Sequence, residues 1–269
     1  MPQLNSTRSM TFYEHFDELR VRFMRCLAVF FIGFLLCYSF SEPILAFLRK
    51  PLFEVLPEDQ RRLYFTSLFE NFLTHLKISG YASIFVFSPY FFSEFWGFIA
   101  PGLYPKERKL VVPFVLAATA FFIGGASFAY YGLFPVGFKF FISYGAASDF
   151  PMLTIDNYYG TCLKLLLLFG IAFELPVLIC LLGFLGVVDA PLLREHRKSA
   201  ILAITVLSAL FAPPDAVSML ILGIPLVFMY EGAIWVVQWT GRGRNHPGAT
   251  DRRADGQPPV NPLEGRSRS

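Results

Sequence analysis

The sequence predicts an all-α integral membrane protein with six transmembrane helices, the last two of them short. Three observations carry that prediction. The 269 residues are 55% hydrophobic, with a mean hydropathy of +0.51 and 32 phenylalanines. Only 16% are charged, against about 25% in a typical soluble domain, so the composition suits a bilayer with no large soluble domain between spans. Lys and Arg are shared unequally between alternate connecting segments, which sets an orientation. The net charge of +3 is too small to suggest nucleic acid as a partner.

The chain divides into an amphipathic N-terminal segment (1–25), a membrane domain (26–240) and a basic, disordered tail (241–269). Phe12, Phe16, Leu19 and Phe23 recur at helical spacing, so the first segment is expected to lie along the interface. The first span is placed at Cys26–Phe40. Ser41–Phe69 is expected to be a loop broken by Pro43, Pro51 and Pro57, with a short surface helix at Ile44–Leu48. The second span, Leu76–Phe98, is softened by Gly80 and Pro89. The third is Leu110–Phe134, where Gly124-Gly125 permits close helix approach. Pro135–Asn157 forms the next loop and Tyr158–Leu185 the fourth span. Ser199–Pro214 and Ala216–Tyr230 supply 16 and 15 uncharged residues for two short spans joined by a Pro213-Pro214 turn. Sixteen residues reach about 24 Å, less than the roughly 30 Å hydrocarbon core. The tail is rich in Gly, Pro, Arg and Asp and carries little that could build a core.

Six spans place both termini on one side, together with the links around 99–109 and 186–198. That side collects 16 Lys and Arg and the opposite loops 5, so the termini are expected in the cytoplasm. The first long apolar stretch lacks a small-residue cleavage pattern and reads as a retained span. Cys26, Cys37, Cys162 and Cys180 fall in apolar segments without a Cys-x-x-Cys spacing, which suits free thiols used as packing residues. No nucleophile–base pair, metal-ligand cluster or nucleotide loop is present in the sequence, so neither an enzyme nor a cofactor is expected.

Among the polar residues, Glu174 lies mid-span, where an ionisable group is costly unless it faces the bundle or a cavity. It reads either as a carboxyl bonded to another helix or as a polar element in a groove that receives a partner. Glu94 and Glu231, near cytoplasmic ends, read as solvated helix ends. Asp215 after the double proline, and Glu70 before the second span, suit helix N-termini. Glu18 and Glu107 are carboxylates among cations on the predicted cytoplasmic surface, Glu107 within the tight link Phe98–Lys109. A proton- or cation-coupled secondary transporter, with Glu174 and Glu94 as a relay, is the alternative, although no internal repeat of the usual kind is detectable.

Four stretches carry a family resemblance. His15-Phe16-Asp17-Glu18-Leu19-Arg20-Val21-Arg22 and Phe95-Trp96-Gly97-Phe98-Ile99-Ala100-Pro101-Gly102-Leu103-Tyr104-Pro105-Lys106-Glu107-Arg108 are similar to signatures of the TatC family. Phe173-Glu174-Leu175-Pro176 and Ala212-Pro213-Pro214-Asp215 follow in family order, so the likeness runs from about Thr11 to Trp239. The resemblance implies a concave six-helix bundle that serves as core receptor of the twin-arginine protein translocase in a bacterial inner membrane. By motif position it assigns Glu18 and Glu107 to reading the arginine pair of signal peptides on folded cargo, with Arg20, Phe98 and Arg108 nearby. A guanidinium presents a planar fork that a carboxylate accepts and an ammonium cannot reproduce. The resemblance also places Glu174 in the concave face and ties Pro51, Glu70 and Asp215 to outer-side function. It implies TatA- and TatB-type single-span subunits, other copies of the chain and membrane lipid as partners, and the proton motive force as energy source. The sequence departs from the family pattern before the second span, where Glu70 is kept without its usual proline, and at Glu94, commonly an uncharged polar residue.

Overall fold

The structure is a computed structural model that describes residues 12–99, 111–144, 152–211 and 216–241. It contains α1 (Phe12–Ser39), α2 (Ser41–Val55), α3 (Glu70–Val86), α4 (Ser88–Ile99), α5 (Val111–Phe128) and α6 (Phe134–Tyr144). These are followed by α7 (Ile155–Ala172), α8 (Leu175–Phe184), α9 (Ala190–Glu195), α10 (Arg197–Phe211) and α11 (Ala216–Gly241). β structure among the described residues is a single parallel bridge between Tyr64 and Thr154.

Prolines explain where helices bend, and neighbouring hydroxyls explain why the bends hold. A proline removes the N–H that would bond the carbonyl four residues earlier. Pro89 does this to Phe85, whose carbonyl instead accepts from Ser88 Oγ at 2.8 Å, and α3 and α4 meet at 57°. Pro51 does it to Phe47, whose carbonyl accepts from the Tyr130 hydroxyl at 2.8 Å. α2 therefore runs unbroken through Pro51 for 15 residues, in place of the expected loop with a short helix. Tyr158 and Tyr159 donate to the Leu48 and Leu45 carbonyls of the same helix, at 2.7 and 3.2 Å. Pro176 separates α7 from α8, and a π turn, Ala129–Leu133, precedes Pro135 and lets α5 continue into α6.

Among the described residues, four helical stretches are long and apolar enough to cross a membrane: His15–Ser39, Val111–Ser143, Ile155–Phe184 and Ala216–Trp239. The bent α3–α4 pair makes a fifth when counted as one span. α1 is continuous from Phe12, so residues 12–25 extend the first span rather than forming a separate interfacial helix. Its 28 residues reach about 42 Å, more than a hydrocarbon core of roughly 30 Å. The third span extends past the expected end at Phe134 as far as Tyr144. α10 is short, as expected, with 15 residues, but α11 has 26. α11 continues through Glu231, which the sequence suggested as its limit, and that carboxylate pairs with Arg197 at 2.6 Å on the helix surface.

α7 lies at the centre, burying Tyr158, Tyr159, Cys162, Leu163, Leu166 and Phe169 against α3 and α5. The α5–α7 crossing depends on Gly125 and Gly170. A Cβ on Gly125 would strike the Phe169 carbonyl, and one on Gly170 would strike Phe122, so glycine allows the two backbones to meet. Gly124, its sequence neighbour, faces open space. All four cysteines are free thiols, with Cys37 and Cys162 buried. Phe31, Leu35, Leu116, Leu210, Phe228 and Trp235 stand exposed, an apolar exterior that suits lipid rather than water.

Candidate functional site

The first turns of α1 lie against the last turns of α4, which brings together two sequence motifs some 80 residues apart. Four successive residues of α4 divide the work, because consecutive helical positions point about 100° apart. Phe95 is exposed, and Trp96 is buried and stacks on Phe114 of α5, with centroids 4.9 Å apart. Gly97 faces α1 so closely that a Cβ would collide with Arg22 Nη1, and Phe98 stacks on His15 at 4.3 Å and 19°.

In the space Gly97 leaves, the Arg22 guanidinium bridges two carboxylates. Its Nε and Nη2 donate to Glu18 Oε1 at 2.9 and 2.7 Å, and its Nη1 donates to Glu94 Oε2 at 2.8 Å. Glu94 Oε1 also accepts from the Tyr90 hydroxyl at 3.0 Å and lies 3.8 Å from Arg25 Nη1. Glu18 Oε2 is buried and has no hydrogen-bond partner among the described residues. Glu94 is therefore no solvated helix end: its side chain is 12% exposed and held by two arginines and a tyrosine. Sequence reading missed this role. The spacing of Glu18 to Arg22 and of Tyr90 to Glu94, each four apart on one helix face, was the available signal.

The other expected site residues that the structure describes are dispersed. Arg20 is exposed on α1. Glu107, Arg108 and Asp215 lie outside the described residues, as does the tail beyond Gly241. Glu174 occupies the break between α7 and α8, where its backbone N–H bonds Ile171 O at 3.0 Å and its Oε1 is buried without a partner among the described residues. That places it in a different span from Glu94, which is itself tied to arginines, so the two form no visible relay.

Glu70 and Pro51 mark the opposite end of the bundle. The buried Glu70 accepts from Thr66 N (2.6 Å), Thr66 Oγ1 (2.9 Å) and Ser67 N (3.3 Å) on one oxygen. Its other oxygen accepts from Asp156 N at 2.8 Å, the first turn of α7. The carboxylate thus joins the 64–69 loop to α7 beside the Tyr64–Thr154 bridge, and a Lys77–Asp156 ion pair spans the same junction. Pro51 is buried within α2. Among the described residues no three His, Cys, Asp or Glu converge as a metal site.

Comparison with known proteins agrees along nearly the whole chain. The family model described as Sec-independent protein translocase protein (TatC) matches residues 14–225. A TatC protein of Magnetococcus marinus is 39% identical over 242 residues, covering 90% of this chain and 88% of that protein. One from Campylobacter jejuni is 37% identical, covering 90% and 97%. A crystal structure of the twin arginine translocase receptor TatC superposes with a TM-score of 0.73 at 32% identity, covering 85% of this chain and all of that one. By name these relatives are protein translocase proteins, and the solved structure is of a translocase receptor. The chain belongs to the TatC family of Sec-independent protein translocase proteins.

Proposed function

We propose that this chain is the membrane receptor of a twin-arginine export system, reading the arginine pair of signal peptides on folded proteins with Glu18 and Glu107. Arg20, Phe98 and Arg108 border that site. The observation that carries the reading is the docking of α1 on α4, which joins the Glu18 motif to the Phe98 motif through the His15–Phe98 stack and the Arg22 bridge. The link bearing Glu107 starts directly after α4. A charged guanidinium–carboxylate bond contributes roughly 1.5–3 kcal/mol. Glu107→Gln, which keeps shape and loses charge, therefore weakens binding of a labelled twin-arginine peptide in detergent on the order of tenfold. Unchanged affinity would place the reading site elsewhere.

Both termini lie in the cytoplasm, a reading supported by the excess of Lys and Arg on their side. α10, though short, then forms the sixth crossing. A single cysteine at Ser6 or Ser267 resists an impermeant external reagent and one at Ser148 reacts; labelling at Ser6 in intact cells would reverse the orientation. Glu174 contributes a polar point inside the membrane, and Pro51, Glu70 and Asp215 act on the outer side. TatA- and TatB-type single-span subunits and further copies of the chain complete the complex, which copurification checks.

A further inference from the structure

The clamp on Arg22 is asymmetric. Both N–H groups aimed at Glu18 fall on one oxygen, Oε1, while Oε2 is buried and has no partner among the described residues. A carboxylate serves a guanidinium best when its two oxygens meet two N–H groups in parallel, so among the described residues Glu18 holds Arg22 with one oxygen idle. The third N–H of Arg22 is held by Glu94, and the Arg22 and Glu94 side chains are 23% and 12% exposed, a poorly hydrated pair. Gly97 supplies the space for the guanidinium. Arg22 thus has two counter-ions, one of them the carboxylate assigned above to the peptide.

We propose that Arg22 is a resident guanidinium on Glu18 that an arginine of the signal peptide displaces, and that Glu94 is the positioning residue that retains Arg22 when Glu18 releases it. The inference rests on Glu18 being an arginine-reading group. Like is exchanged for like: one guanidinium leaves Oε1 as another arrives to fork across Oε1 and Oε2. Glu18 is never left bare in a poorly hydrated place, where an unpaired charge is costly. Arg22 is not left bare either, because its Nη1 already rests on Glu94, which Tyr90 orients through Oε1. An ammonium has no planar fork and would not occupy both oxygens of Glu18, so the exchange favours Arg over Lys in the peptide. Arg25, 3.8 Å from Glu94 and 59% exposed, can swing into water as Arg22 takes more of that carboxylate.

The test is a double-mutant cycle on the full chain in detergent, read with a fluorescent peptide bearing two adjacent arginines and with its Lys-Lys counterpart, at matched salt. Removing the resident ion with Arg22→Gln tightens binding of the arginine peptide about threefold to tenfold. Glu94→Gln weakens it by about tenfold, because Arg22 then has Glu18 alone, whereas Glu94→Asp largely restores it. In the Arg22→Gln background, Glu94→Gln has no further effect. Arg22→Lys, which keeps the charge and loses the fork, tightens binding to a smaller degree and serves if Arg22→Gln does not fold. Weaker binding by Arg22→Gln or Arg22→Lys, or an equal loss from Glu94→Gln in both backgrounds, would overturn the proposal and leave Glu94 a structural ion. A parallel Glu18→Gln variant separates the two readings. If it binds the peptide as the parent does, the assignment of Glu18 itself fails; if it weakens binding while the Arg22 arms go the wrong way, only the exchange fails.

Discussion

Each end of the bundle holds a glutamate, Glu70 buried and Glu18 partly buried, and the two are used in opposite ways. Glu70 is surrounded by donors that belong to the fold: two N–H groups and a hydroxyl from its own loop, and one N–H from the start of α7. Both its oxygens are engaged, and backbone donors cannot move without unmaking the loop. Glu18 is held by a side chain, on one oxygen, and the other oxygen is idle among the described residues. A carboxylate saturated by backbone is a fastener, whereas one shared through a long flexible arginine can change partner. Both were visible in the sequence as glutamates near span ends; their partners separate them.

Glu18→Gln with Glu107→Gln reduces affinity for a twin-arginine peptide on the order of a hundredfold, since two charge-assisted bonds are lost, while the melting temperature stays near that of the parent. A large fall in melting temperature instead would make Glu18 a fastener like Glu70. Glu70→Gln does the reverse: peptide affinity per folded molecule is unchanged, but the thermal midpoint in detergent falls by about 5 °C or more, and the 56–69 segment becomes open to protease. If the midpoint holds, the loop is carried by the Tyr64–Thr154 bridge alone.

Tyr158→Phe acts at the same end with a smaller result. It removes the donor to the Leu48 carbonyl within a buried contact, a loss of about 1 kcal/mol and roughly 2–4 °C, measured by circular dichroism melts. No change would mean that a water replaces the hydroxyl. Last, Glu231→Gln breaks the Arg197 ion pair on the clamp's side of the proposed topology, but both groups are well exposed. Such pairs contribute about 0–1 kcal/mol, so stability and peptide affinity both stay close to the parent. A clear loss of affinity would extend the reading site to α10 and α11.

The class of protein was legible from residues alone because lipid imposes a coarse rule: backbone groups must be satisfied within helices, so apolar length and cation placement report spans directly. The bend at Pro89 was legible for a related reason, since a missing N–H acts locally on any helix, whereas the break before Pro176 was not foreseen in the span placed at Tyr158–Leu185. Pro51 shows the limit of that reasoning. The same missing N–H is compensated by Tyr130, 79 positions away, and no local pattern reveals it. The burial of Glu94 depended likewise on Arg22, which another helix brings to it. Composition and spacing determined that helices cross a membrane and roughly where they begin. Tertiary structure alone decided which charged groups meet across helices, because the pairing of an ion in a poorly hydrated place depends on what a distant helix brings within about 3 Å of it.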